Sequence, residues 1–142
     1  MARKPSPRAP KKEEAVAQPT TPTSRERSLA AACHGAIILL PFAVVPSVVI
    51  WILEGRSSKY VGSHSAQALV AQAVLDILTG ILIIVAAALK ALPLVGWLFF
   101  YLLAVIVCVL WVAAFVYGIY GALKIIKGED FRYIIFSDLV GS

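Results

Sequence analysis

SAQALVAQAVLDILTGILIIVAAAL (65–89), KALP (90–93) and LVGWLFFYLLAVIVCVLWVAAFVYGIYGAL (94–123) follow one another without interruption, and their reading decides the fold. Between Lys59 and Lys90 the only Asp, Glu, Lys or Arg is Asp76, and between Lys90 and Lys124 there is none for 33 residues. Each run exceeds the ~20 residues that cross ~30 Å of hydrocarbon as a helix. The runs are continuous rather than alternating, which excludes a β-barrel strand pattern. Lys90-Ala91-Leu92-Pro93 is too short to hold a domain, so the two segments form a helical hairpin.

Working outward toward the N-terminus, a third apolar run covers 29–53 and carries Pro41 and Pro46 in its middle. A proline inside a helix removes a donor and clashes with the preceding turn. As one rod the 25 residues reach ~37 Å and would span; as two arms, 29–40 and 46–53, they reach ~18 and ~12 Å and only dip into the bilayer. Charge counting arbitrates between the two. If the run crosses, eight basic residues share a side and five lie opposite; if it re-enters, twelve face one side and only Lys90 the other. The positive-inside rule prefers re-entry and puts both termini in the cytoplasm. The fold class expected is therefore an all-α integral membrane protein, with a proline-broken first segment that re-enters or kinks, followed by a two-helix transmembrane hairpin. The domain division expected is a tail over 1–28, a membrane helical domain over 29–136 and a short tail over 137–142.

Composition agrees. Of 142 residues 60% are hydrophobic and 15% charged, with mean hydropathy +0.85, against roughly 45–50% apolar in soluble domains. The net charge of +5 is mostly a property of positions 1–28, where seven basic and three acidic residues stand among five prolines. That stretch cannot bury enough surface to offset chain entropy and reads as a disordered basic tail. No aromatic side chain interleaves Arg3, Lys4, Arg8, Lys11 and Lys12 to stack bases, so an anionic leaflet is a simpler partner than nucleic acid. Cys33 and Cys108 form neither a disulfide framework nor a zinc pattern and read as small buried hydrophobes.

Several residues stand out inside the membrane. Asp76 costs at least ~2.5 kcal/mol there unless it faces protein or water. It shares a helical stripe with His64, Gln72 and Thr79, which points to a bundle, a partner, an ion relay or a buried bond to Ser47. Ala114, Gly118 and Ala122 recur every four residues, a small-residue face for a partner or for the chain's own second helix. Trp111, in mid-membrane, needs an acceptor for its indole N–H. His34 and His64 are candidate axial ligands for haem or a chlorophyll-type pigment, against the plainer role of interface anchors; no cofactor and no metal site is expected. Trp51, Trp97, Tyr101, Tyr117 and Tyr120 with Lys124, Lys127 and Arg132 read as residues of the lipid interface.

Glu26-Arg27-Ser28-Leu29-Ala30-Ala31 before His34, Pro46 and Ile50-Trp51-Ile52-Leu53, then His64 to Gln67, and Lys127-Gly128-Glu129-Asp130-Phe131-Arg132-Tyr133 after the last helix together resemble a known group. It is a small prokaryotic membrane-protein family of unknown function, related to the pore-type subunit of the chloroplast inner-envelope protein import machinery. The resemblance covers about residues 25–135 and implies a helical integral membrane protein without enzymatic activity. No catalytic motif is present, and the chain is expected not to be an enzyme. The expected role is an accessory or scaffold subunit of a larger membrane complex in the prokaryotic cytoplasmic membrane. The alternative is a channel or protein-translocation component acting as a homo-oligomer.

Overall fold

The computed structural model describes residues 21–93 and 95–133. Within them the chain is helical: α1 (Ser24–Gly35), a 3₁₀ helix (Ala36–Phe42), α2 (Val44–Glu54), α3 (Lys59–Leu89) and α4 (Gly96–Ile126). The expected tail over 1–20 and the segment 137–142 lie outside the described residues.

α1 begins earlier than expected. Thr23 and Glu26 form a reciprocal capping box, the Glu26 N–H donating to the Thr23 hydroxyl at 3.2 Å and the Thr23 N–H to the Glu26 carboxylate at 2.7 Å. This satisfies two of the helix's unpaired donors, so residues 24–28 belong to the membrane domain rather than to the tail. The same device moves the start of α3 from position 65 to Lys59, because the Ser58 side chain accepts the Val61 N–H at 3.3 Å.

The two prolines of the first apolar run behave differently. Pro41 lies inside the 3₁₀ helix, and Leu40 before it stands at φ 54°, ψ −126°, a left-handed strained conformation that a bulky residue adopts rarely. Pro46 falls in the first turn of α2, where no intrahelical donor is required, and leaves that helix intact. The break is thus one corner at Leu40–Pro41. α1 and α2 are ~18 and ~16 Å long, short of the ~30 Å hydrocarbon, whereas α3 and α4 reach ~46 Å each.

The first run folds back on itself. Arg25 at the start of α1 pairs with Glu54 at the end of α2, and Glu26 accepts from Ser58, just before α3. Residues after α4 return to the same end, where Phe131 is buried against Ala30, Ala31, Ala122 and Ile125. Deeper in, Ala36, Ile37 and Ala43 of the corner pack on Leu75, Trp111, Ala114 and Ile119. α3 and α4 are tied by the Trp111 indole N–H, which donates to the Thr79 hydroxyl at 3.1 Å. The molecule is a transmembrane hairpin carrying a re-entrant hairpin on one half of its length, with long apolar faces of α3 and α4 left uncovered.

Candidate functional site

The chemistry of the chain is concentrated where α1 ends and the corner begins. A helix leaves its last carbonyls without intrahelical donors. The Cys33 carbonyl is one of these, and the Gln72 amide of α3 donates to it at 3.0 Å. The Ser47 hydroxyl of α2 in turn donates to the Gln72 side-chain oxygen at 2.8 Å. Ser47 and Gln72 are both buried, so three helices are joined by one satisfied polar network.

One residue further, His34 is fully buried. Its Nδ1 lies 3.2 Å from the Tyr133 hydroxyl and its Nε2 lies 3.4 Å from Nδ1 of His64. A neutral imidazole has one donor and one acceptor, and either tautomer of His34 satisfies both contacts: Nδ1 accepts from the Tyr133 O–H while Nε2–H donates to His64 Nδ1, or Nδ1–H donates to the Tyr133 oxygen while Nε2 accepts from His64 Nδ1–H. Phe131 and His64 stand edge-on to the His34 ring at 5.2 and 5.6 Å, and Tyr60 packs on His64 at 4.5 Å. Burial, helped by the neighbouring His64, pushes the His34 pKa down to about 3. Burial likewise pushes the Cys33 thiol up to about 12, the state of an inert thiol. At the exposed rim, hydrogen bonds from Ser58 and then Thr23 hold the Glu26 carboxyl below its ordinary range.

The two histidines expected as possible ligands are therefore brought together, from positions 30 residues apart. Both nitrogens of His34 are engaged, so a haem or chlorophyll-type macrocycle on that ring would have to displace Tyr133 or His64. Among the described residues no group of three or more His, Cys, Asp or Glu side chains stands close enough to share a metal ion. What the arrangement does chemically is hold α1, α3 and the segment after α4 together through neutral, mutually satisfied groups.

The Asp76 stripe divides. His64 and Gln72 face the re-entrant hairpin and Thr79 faces Trp111, whereas half-buried Asp76 makes no hydrogen bond or ion pair with any described residue. The expected bond from Ser47 goes to Gln72 instead. The small-residue face of α4 is also reassigned. Gly118 and Ala122 meet α1 and the corner rather than α3 or a partner: a Cβ on Gly118 would lie 2.9 Å from Ile37 Cγ2 and 3.1 Å from the His34 carbonyl oxygen. Ala114 lies against the same corner.

The interface residues separate as well. Trp51, Trp97, Tyr101 and Tyr120 are exposed, with the Lys90 ammonium over the Trp97 ring at 4.2 Å. Lys124 pairs with Glu129 at 3.5 Å and Arg132 with Asp130 at 3.3 Å, while Lys127 is exposed. Tyr117 is the correction in this set: it turns inward, 5.3 Å from Phe131 and 5.5 Å from Tyr133. Cys108 is exposed rather than buried. The residues that sequence reasoning passed over are Tyr133 and Phe131; the signal was two aromatics directly after the last helix, at a level where a returning chain meets the bundle.

Between α3 and α4, beneath the corner, lies an apolar cavity of about 570 Å³ lined by Ala71, Leu75, Leu78, Leu110 and Tyr117, with Gln72 and Tyr133 adding its polar groups.

No match was found among curated proteins or among solved structures. A family model does match, over residues 25–140, which include α2, α3, α4 and all of α1 but its first residue. The comparison supports a small membrane-protein family and not the likeness to a chloroplast import pore subunit, which rests on short motifs alone. The chain belongs to the magnetosome magnetite crystal formation protein family.

Proposed function

We propose that this protein is a non-enzymatic accessory subunit of the membrane in which magnetite crystals form, and that it packs on a larger membrane complex through its helix faces. The observation that carries this reading is the family match over 25–140, on a chain whose polar network is spent on its own folding. The outer face of α4 supports it. Leu98, Leu102, Val105, Val109, Val112 and Val116 recur at alternating steps of four and three and are all more than half exposed, the spacing of a helix–helix seam. The end that gathers α1, the start of α3 and the segment after α4 carries the described basic residues apart from Lys90, and by the positive-inside rule this asymmetry supports a reading with both termini in the cytoplasm and the chain in the prokaryotic inner membrane or one derived from it.

The test is deletion of the gene in a magnetite-forming cell, with crystal dimensions measured by electron microscopy, alongside extraction of the tagged protein in nanodiscs and mass spectrometry. Crystals of altered size or shape together with a co-purifying membrane complex support the reading. Unchanged crystals, or a protein recovered free of other proteins, overturn it.

A second reading is a channel or translocation component, favoured by Asp76 at mid-span. It needs an aqueous path, yet the α3 positions on the face of Asp76 are Gly80, Ile83 and Ala87. Conductance of the reconstituted protein that changes on Asp76→Asn would move this reading to first place.

A further inference from the structure

Asp76 lies seventeen residues from the start of α3 and thirteen from its end, so ~26 and ~20 Å along the axis and near the middle of the bilayer. A charged carboxylate at that depth costs ~2.5–3.5 kcal/mol. Protonation removes the charge but leaves an O–H donor and a carbonyl acceptor in hydrocarbon, where no water can satisfy them. One turn to either side the chain has solved this problem: Gln72 is bonded to Ser47 and to the Cys33 carbonyl, and Thr79 to Trp111. Of these three residues Asp76 is the one left without a partner among the described residues.

Gly80 supplies an independent observation on the same face. A Cβ there would meet nothing within 4 Å, whereas at Gly118 and Gly121 it would run into Ile37 and the Phe131 ring. Gly118 and Gly121 are small because the chain's own segments press on them; Gly80 is small where no described residue of this chain does. Asp76, Gly80, Ile83 and Ala87 fall at i, i+4, i+7 and i+11, one face of a helix. Ile83 is 57% exposed and Ala87 is exposed too. A missing side chain beside an unsatisfied carboxyl is the form of a helix–helix contact in lipid, where close backbone approach and interhelical hydrogen bonds replace hydrophobic burial.

The chemistry selects the partner. A two-fold axis along the membrane normal brings each residue of α3 to its own depth on the other copy. Two carboxylic acids are self-complementary, each donating one hydrogen bond and accepting one. A different protein would have to present a matching donor and acceptor at this depth, whereas a second copy does so by symmetry. We propose that two copies of this chain pair in parallel through the half of α3 that lies beyond the re-entrant corner. Asp76 of each copy, neutral, is hydrogen-bonded to Asp76 of the partner subunit, and the backbones approach most closely at Gly80. This goes beyond the accessory role and does not rest on it.

The experiment is energy transfer between donor- and acceptor-labelled full-length protein in phosphatidylcholine/phosphatidylglycerol vesicles, titrated by dilution with lipid. The native chain is expected to pair. Asp76→Leu is expected to weaken pairing about tenfold, and Asp76→Asn, which keeps a donor and an acceptor, to stay within about threefold. In a Cys108→Ser background, Gly80→Cys is expected to cross-link to a dimer on oxidation and Val112→Cys, on the outer face of α4, is not. In every variant Cys33 must stay shielded from maleimide, which shows that the re-entrant hairpin is still docked. A monomer at all dilutions, an Asp76→Leu chain that pairs like the native one, or cross-linking at position 112 instead of 80 overturns the proposal. The vesicles hold no other protein and no crystal, so failure here leaves the accessory role standing, and an unchanged crystal phenotype leaves the pairing standing.

Discussion

Arg25 and Glu54 are 29 residues apart and form an ion pair. Arg25 lies in the first turn of α1 and Glu54 in the last turn of α2, so the two ends of the first apolar run lie at the same end of the bundle. The pair is exposed at Arg25 and contributes little energy by itself. Its importance is geometric, because a run that crossed the bilayer would hold these two residues ~40 Å apart.

Sidedness of labelling follows from this geometry. In a chain with Cys33 and Cys108 replaced, single cysteines at Arg25, Arg56 and Lys127 are expected to react with an impermeant maleimide from one side of sealed vesicles, and a cysteine at Lys90 from the other. If positions 25 and 90 were labelled from the same side, the first run would cross and the re-entrant fold would be wrong.

Gln72→Leu removes the donor to the Cys33 carbonyl and the acceptor of Ser47. Leaving a buried carbonyl unpaired costs about 1–3 kcal/mol. The hairpin is expected to open more often, and the rate of Cys33 alkylation in the folded protein to rise by one to two orders of magnitude. An unchanged rate would mean that the network does not hold α1 in place.

Acid should release the same hairpin. The His34 pKa is lowered from 6.5 to about 3 by burial, so the folded state binds fewer protons there than the unfolded state. Its contribution is therefore complete above pH 6.5 and is lost as pH falls from 6.5 toward 3. Cys33 alkylation measured by pulse labelling is expected to accelerate over that range, and His34→Phe to flatten the dependence. A profile identical in the variant would assign the acid sensitivity to another group.

Gly118→Val places a branched side chain against Ile37 and the His34 carbonyl. Overpacking of this kind costs about 1–3 kcal/mol, and the thermal midpoint in nanodiscs is expected to fall by several degrees. Gly80→Ala, where a Cβ meets nothing, is the control and should leave the midpoint of the isolated chain where it was.

Much of this was legible in the residues. Two runs long enough to span, a turn of four residues between them, and a first run broken at Pro41 follow from charge spacing and from the missing proline donor. Re-entry follows from the sidedness of Lys and Arg, and the isolation of Asp76 within an apolar helix is visible at once. The starts of α1 and α3 were misplaced because Thr23 and Ser58 cap helices whose first residues are polar, so hydropathy alone begins them too late.

What only the tertiary structure decided is which side of each apolar helix meets protein. In water an amphipathic pattern reveals the buried face; in lipid both faces are apolar and the pattern carries no such information. Gly118 against Ile37, Tyr117 turned inward, and Gly80 and Asp76 meeting no partner among the described residues are therefore facts of packing. The contact of His34 with Tyr133 joins residues 99 positions apart. It exists because the corner at Leu40 returns the first run to the end where α4 finishes, and no local pattern in the chain encodes that meeting.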